Sequence, residues 1–357
     1  DPRPLRAPAP PTSAIVLMRW LAFRIMLGAG LIKLRGDPCW TELTCLDAHF
    51  ETQPIPNPLS PLFHYLPHGV HAAGVVMNHI VELVLPWFAF GPRRLRLVAA
   101  IGMAAFQIML IASGNLAFLN WLTLVPALAL LDDDLLVRCA PGRLASWLAA
   151  RRSTVSGPGH RIFVGCIAAL VAVKSVPVVA NLLSHHQDMN RNYDRLALVN
   201  TYGAFGSVGM VRHELVIEGT LDANPATARW SAYELPCKPG DLARRPCLLG
   251  PYHLRLDWLI WFAAMSDEPR DPWVLHLVWK LLDGDRSIRR LLAIDPFDGV
   301  APRYVRIRRF VYHLEPYSSP TWWTRDHEEL WLPPIEQGSA DLREALAPYG
   351  MPSPSLR

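Results

Sequence analysis

Two ionisable side chains stand inside an otherwise uncharged helical stretch. In residues 70–90, VHAAGVVMNHIVELVLPWFAF, His79 and Glu82 are three positions apart with Asn78 beside them, a spacing that places both on one helix face. Ionisable groups are costly inside a bilayer and usually pair there, often along a functional path. The run 14–34 supplies three cations, Arg19, Arg24 and Lys33. The expectation is an intramembrane polar cluster of Arg19, Arg24, Lys33, His79 and Glu82, with His79 and Glu82 facing the bundle and touching a cation of the first span. Adding His49 and Glu51 from the following loop would bring together enough nitrogen and oxygen donors for a metal. No tight ligand motif accompanies them, so salt bridges are expected and no metal or other cofactor.

Other chemistries have no motif to carry them. The chain contains no GxxxxGK[ST] loop, no strand-anchored GxGxxG, no GxSxG elbow and no CxxC. The glycine cluster Tyr202-Gly203-Ala204-Phe205-Gly206-Ser207-Val208-Gly209 reads as a close-packed turn before a strand. Six cysteines are present: Cys39 and Cys45, Cys237 and Cys247, and the separate Cys139 and Cys166. The first four form two local pairs that fit disulfides better than a zinc site, although four cysteines allow three connectivities. For Cys237 and Cys247 the intervening Pro-Gly favours a turn that joins them. Cys39 with Cys45 requires that residues 40–46 not form one continuous helix.

These residues must be held by elements in a membrane. The 357 residues are 51% hydrophobic and only 18% charged, with a mean hydropathy of +0.16, which excludes a disordered, collagen-like or disulfide-scaffold chain. A net charge of +4, with no basic block longer than Arg93-Arg94-Leu95-Arg96, gives no reason to expect a nucleic-acid partner. About five spans are predicted, at 14–34, 70–90, 97–113, 115–131 and 162–183, forming a helical membrane domain over 1–183. Arg35 is the only basic residue of loop 35–69, against Asp37, Glu42, Asp47 and Glu51. The turn 91–96 holds three arginines, and 132–161 holds Arg138, Arg143, Arg151, Arg152 and Arg161. Cytoplasmic loops collect Lys and Arg, so loop 35–69 and everything after the fifth span are assigned to the outer or lumenal face. The four paired cysteines then fall on the oxidising side.

Beyond Ser184 the pattern becomes that of a water-exposed α+β domain with a β-rich core, predicted over 184–335, with a C-terminal helix or tail over 336–357. Strands are expected at 214–219 and 304–314, and helices at 256–265 and 273–282. Lys238-Pro239-Gly240-Asp241 and Leu332-Pro333-Pro334 read as loops. The last residues, MPSPSLR, read as a loose tail. In loop 35–69, Gln53-Pro54-Ile55-Pro56-Asn57-Pro58 must be extended. It is expected either to present a preformed peptide-binding surface or to act as a structural re-entrant loop. The candidates for binding a peptide or protein are Trp40, His49, Glu51, Gln53, Pro54, Pro56 and Asn57, together with Trp322 and Trp323, which follow a Ser-Ser-Pro-Thr turn and are expected to be exposed.

The most specific signal lies in long, unusual motifs. Gly36-Asp37-Pro38-Cys39-Trp40 with Leu43-Thr44-Cys45, the stretch His49 to Pro58, Ser113-Gly114-Asn115 and Phe118-Leu119-Asn120-Trp121-Leu122-Thr123 all resemble the lipase maturation factor family. So do Val199 to Ser207 (VNTYGAFGS), Cys237-Lys238-Pro239-Gly240-Asp241 with Arg244-Arg245-Pro246-Cys247, Pro251-Tyr252-His253, and Arg255-Leu256-Asp257-Trp258 with Trp261-Phe262-Ala263-Ala264. The similarity runs from about Met18 to Pro334. It implies a multi-pass protein whose lumenal C-terminal domain assists the folding and assembly of secreted dimeric lipases without enzymatic activity. The membrane would be the endoplasmic reticulum in a eukaryote and the plasma or inner membrane in a bacterium. Family members usually carry more sequence ahead of this chain's first residue. The partners expected are lipase clients and the bilayer, with the oligomeric state open. Two other readings are a membrane enzyme similar to the vitamin K-dependent carboxylase-like proteins, using the His79 and Glu82 cluster for acid/base work, and a membrane scaffold subunit.

Overall fold

The computed structural model describes residues 10–149, 157–201, 203–269 and 271–351. The tail beyond Met351, Arg151, Arg152 and Tyr202 of the VNTYGAFGS motif lie outside the described residues. In chain order the first helices are α1 (Thr12–Gly36), α2 (Pro38–Thr41), α3 (Cys45–Thr52), α4 (Ser60–His64), α5 (His68–His79), α6 (Arg93–Ser113) and α7 (Leu119–Ala127). There follow α8 (Asp133–Cys139), α9 (Gly142–Ala149) and α10 (Pro158–Leu183), then β1 (Arg212–Thr220) and β2 (Ser231–Ala232). The remainder is α11 (Arg255–Ala264), α12 (Pro272–Leu282), α13 (Arg286–Arg289), β3 (Tyr304–Leu314), β4 (Trp323–Glu336) and α14 (Ala340–Leu346).

Among the described residues four helical stretches are long and apolar enough to cross a membrane: Thr12–Gly36, His68–Phe90, Arg93–Ser113 and Pro158–Leu183. The fifth expected span is shorter, Leu119–Leu130, because the Ser-Gly-Asn turn runs on through Phe118. Loop 35–69 contains three short helices, so its proline stiffness is confined to residues 53–58.

The chain divides into two compact units, and the division is not a single cut near residue 183. Unit 1 comprises residues 1–47, 67–111 and 119–208; unit 2 comprises 48–66, 112–118 and 209–357. The proline-rich strip and the Ser-Gly-Asn turn therefore belong to the same body as the C-terminal sheet.

In unit 1, α1 packs through Ala22 and Met26 against Val81, Leu85, Ala89, Ala99, Ala100, Met103, Phe106 and Leu130. Alanines on three of these helices let their backbones approach closely, which is how membrane helices associate when lipid is as apolar as the side chains. Asn120 Nδ2 donates to Gln107 Oε1 at 2.8 Å, a further tie between α7 and α6. At one end of the bundle Arg93 Nε and Arg96 Nη2 reach Asp132 at 2.6 and 2.7 Å, joining the basic first turn of α6 to the segment after α7.

Unit 2 is built on an antiparallel sheet of order β2-β1-β3-β4. Period-two alternation divides β1 between two cores. Leu215 and Ile217 pack with Val305, Ile307, Leu332 and the helices α11, α12 and α14, while Val216 packs with Phe310, Tyr312, Leu314 and Trp323. Burial on both faces encloses β1 nearly throughout, including its charged residues Arg212, Glu214 and Glu218. The strand β4 departs from the sequence expectation: Leu332-Pro333-Pro334 lies in a strand, because an edge position leaves one side of the backbone without ladder bonds to lose. Its stretch 324–330 is exposed and rich in charge, the usual protection of a sheet edge.

Candidate functional site

The buried polar centre of unit 1 is an ion pair. Lys33 Nζ lies 2.7 and 2.8 Å from the two oxygens of Glu82 and 2.9 Å from Asn78 Oδ1, and Asn78 Nδ2 donates to Glu82 Oε2 at 3.2 Å. All three side chains are buried. Residues Ile80–Val84 form a π turn. Asn78 and His79 stand four and three positions before Glu82, so both are neighbours one turn back, and it is Asn78 that joins the pair. Lys33 also sits 4.9 Å from the centroid of the Trp40 ring, so its third direction is met by a π face.

Trp40 links this pair to the non-helical segments of unit 1. Its indole Nε1 donates to Phe205 O at 3.0 Å, and its carbonyl meets His79 Nε2 at 3.0 Å. Asp37 accepts from Cys39 N at 3.0 Å through one oxygen and from Val208 N at 3.2 Å through the other. A Cβ at Gly36 would overlap the carbonyl of Gly206, which explains glycine there. The segments around 36–40 and 203–208 thus form one structure across a long sequence gap. Leu43, at φ 63°, reverses the chain between α2 and α3 and brings Cys39 and Cys45 together, with Cα atoms 4.8 Å apart. The required break in helix over 40–46 is present.

Unit 2 has a second buried hub. Arg212 on β1 donates to the carbonyls of Glu51, Gln53 and Pro54 at 2.6, 2.5 and 3.1 Å and to Glu214 Oε1 at 2.9 and 2.5 Å. Glu214 Oε2 meets Lys238 Nζ at 2.7 Å, and Arg212 lies over the Trp323 ring at 5.3 Å. Proline-rich backbone cannot satisfy its own carbonyls by regular structure, and one planar guanidinium satisfies two of them together with one from the end of α3. Gln53 Nε2 donates to Ser113 O at 2.9 Å, and Asn57 Nδ2 donates to Ala112 O at 2.9 Å. Asn115 bonds in both directions: its Nδ2 donates to Cys247 O at 2.8 Å, and its Oδ1 accepts from Leu249 N at 2.9 Å and Gly250 N at 3.3 Å. Cys237 and Cys247 are joined, with Cα atoms 5.5 Å apart. Asp257 Oδ1 takes the amides of Cys237 and Lys238 at 2.9 and 2.8 Å, and burial raises its pKa despite those bonds. Tyr312 donates its hydroxyl to Gly240 O at 2.8 Å, and burial pushes its pKa up to about 12, so it stays a donor.

Residues 3–138 match the lipase maturation factor transmembrane domain, and residues 198–333 match the lipase maturation factor C-terminal domain. The chain is 43% identical over 369 residues to Lipase maturation factor 1 of Homo sapiens and 44% identical over 371 residues to that of Mus musculus; each alignment covers 96% of this chain and 64% of the relative. It is 29% identical over 441 residues to Lipase maturation factor 2 of Homo sapiens, covering 94% of this chain and 62% of the relative. This chain belongs to the lipase maturation factor family. It is a multi-pass membrane protein that spans somewhat under two thirds of the length of these curated relatives. No solved structure matches it.

Placed on this family framework, the residues singled out by sequence separate into those the fold unites and those it does not. Of the expected intramembrane cluster, only Lys33 and Glu82 meet. Arg19 Nε donates to Ala129 O at 3.0 Å, Arg24 donates to Asn200 O at 2.7 Å, and His79 bonds a carbonyl, not a cation. His49 and Glu51 belong to unit 2 while Lys33 and Glu82 belong to unit 1. Among the described residues no group of three or more His, Cys, Asp or Glu is placed to hold a metal ion.

The client-binding candidates are mostly interior. Trp40, His49, Gln53, Pro54, Pro56 and Asn57 are buried, and Glu51 is half-buried with Oε2 accepting from Leu314 N at 2.7 Å. The expected exposure of Trp322 and Trp323 does not hold. Trp323 is 1% exposed beneath Arg212 and beside Tyr312, and Trp322 is half-buried with Arg245 over its ring at 5.7 Å. A tryptophan that opens an edge strand still turns one face to the core. Sequence reasoning missed Arg212 and Glu214, and it named Asn78 and Asn115 without giving either a partner; a charge pair at i, i+2 in a strand was the available signal for the first two.

Proposed function

We propose that this chain is a folding and maturation factor for secreted lipases, anchored in the endoplasmic reticulum membrane with unit 2 on the lumenal side and acting by binding near-native lipase subunits without enzymatic chemistry. One observation carries the reading: identity of 43–45% to proteins named Lipase maturation factor 1 extends over at least 93% of the chain and so through both units. Lumenal placement is supported by the arginines of the turn 91–96 and by the two cysteine pairs of an oxidising compartment. A binding role is supported by the way the buried charges of unit 2 are spent on holding its own backbone rigid, since a preorganised surface loses less entropy on association.

The test is expression of this chain, with a dimeric secreted lipase, in cells lacking their own relatives. The expected result is a rise in active lipase in the medium and a fall in retained inactive lipase. Unchanged secretion with the chain present at normal level in the membrane would refute the reading. If secretion depended on Glu82 through catalysis, Glu82→Gln would abolish it at unchanged protein level, and the enzyme reading would replace this one.

A further inference from the structure

Unit 2 carries an aromatic and apolar patch that its own core does not use. Leu248 is 79% exposed, Tyr252 65% and Phe262 54%, and Phe118 is exposed beside them in the same unit. Ring contacts join its aromatic members Phe118, Trp258 and Phe262 through His253. Phe118 meets His253 edge to face at 6.4 Å, His253 meets Trp258 at 5.3 Å, and Trp258 meets Phe262 at 6.5 Å. The segment bearing Leu248 is pinned by three hydrogen bonds, one that Asn115 donates to Cys247 O and two that it accepts from Leu249 N and Gly250 N.

Covalent continuity says what covers these side chains. Ser113 closes the membrane helix α6, and Leu119, the residue after Phe118, opens the apolar helix α7. Asn115 and Phe118 therefore stand within a few residues of the end of one membrane span and the start of a second, shorter apolar helix, and at 3.3–3.6 Å per residue they cannot lie far from the bilayer surface. The side chains fixed to them share that depth. Tyr, Trp and Phe beside Leu are the composition of the headgroup-to-acyl boundary, where a ring can be wet at one edge and apolar at the other. Arg255, exposed at the start of α11, supplies a cation on a long stem suited to lipid phosphate.

We propose that the patch formed by Phe118, Leu248, Tyr252, Trp258 and Phe262 is a membrane-interface anchor, seated in the headgroup-to-acyl boundary of the bilayer that the chain itself spans. Its occupant is lipid and not a client protein. The anchor would hold the disulfide-closed loop and α11 at a fixed depth, leaving the opposite surfaces of unit 2 for clients.

The test uses the full chain in phosphatidylcholine nanodiscs with Cys139 and Cys166 replaced by serine. Single cysteines are introduced by Leu248→Cys, Phe262→Cys or, as an aqueous control on the exposed edge strand, Glu328→Cys, and each is labelled with a small environment-sensitive fluorophore. Labels at 248 and 262 should be quenched by lipid spin-labelled high on the acyl chain and shielded about threefold from aqueous iodide relative to the label at 328. The two sites check each other, because a label that merely misfolds one position will not give the same depth at both. Iodide access at 248 and 262 equal to that at 328 would overturn the proposal. Shielding that arises only when a lipase is added would overturn it in favour of a client-binding face.

Discussion

Replacing Arg212 by methionine should be among the most damaging single changes in unit 2. The substitution leaves Glu214 buried with Lys238 as its only cation and strands the carbonyls of Glu51, Gln53 and Pro54. Breaking a buried pair from one side costs about 3–5 kcal/mol, and each carbonyl left dry adds to that unless water enters. A loss of about 4 kcal/mol is a large part of the roughly 5–15 kcal/mol that holds a domain together, and in a body of this size it corresponds to roughly 10 °C in melting temperature. Tryptophan fluorescence of the full chain in nanodiscs, followed through a thermal ramp, measures it directly, because Trp323 lies against Arg212. Limited proteolysis should cut between residues 52 and 60 in the variant before it cuts the parent chain. A triple variant, Arg212→Met with Glu214→Leu and Lys238→Met, removes the stranded charges while keeping volume, and should recover roughly half of the loss. The carbonyls of the proline strip stay unpaired in it and account for the rest. A single variant melting within about 2 °C of the parent would refute the assignment of Arg212 as the fastener of this strip.

Gly114→Ala should destabilise unit 2 by about 2 kcal/mol, since its Cβ would overlap Gln53 Oε1 and displace the bond from Gln53 to Ser113; a lowered melting temperature together with faster cleavage near residue 53 is the check. Glu82→Leu should cost about 3 kcal/mol by leaving Lys33 without a counter-charge, and Lys33→Met in the same chain should restore much of it; heat-induced aggregation in detergent reads both, and a double variant worse than the single would contradict the pairing. Asp257→Asn should abolish a pH dependence. Burial raises the folded pKa of Asp257 above its unfolded value, so between the two the native state holds the extra proton. The contribution of this residue to stability therefore falls as pH rises from about 3.9 through the raised value and stays low above it. Asparagine keeps an acceptor for the amides of Cys237 and Lys238 without the charge, and its urea midpoint should lack that slope.

The sequence by itself determined the membrane class, the positions of the long spans, β3 to the residue, and the grouping of four cysteines into two local pairs, with their connectivity left to the structure, because hydrophobic runs, period-two alternation and short loop spacing are local properties of the chain. It also determined the family, through motifs too long and too unusual to recur by chance. The tertiary structure decided what those motifs do. Gly36 to Trp40 and Gly203 to Val208 are one structure in unit 1, and the strip 53–58, the turn 113–115 and the loop at Cys247 are one structure in unit 2. Nothing in the spacing of those segments reveals the pairing, since carbonyls and amides are present at every residue and which of them meet depends on the path of the whole chain. For the same reason the proline strip, expected as either a binding surface or a structural insert, is interior: its unsatisfied carbonyls found a buried arginine. His79 lost its predicted place to Asn78: both stand one turn before Glu82, and which of them meets Lys33 depends on how the helix is turned against its neighbours, which the spacing does not record.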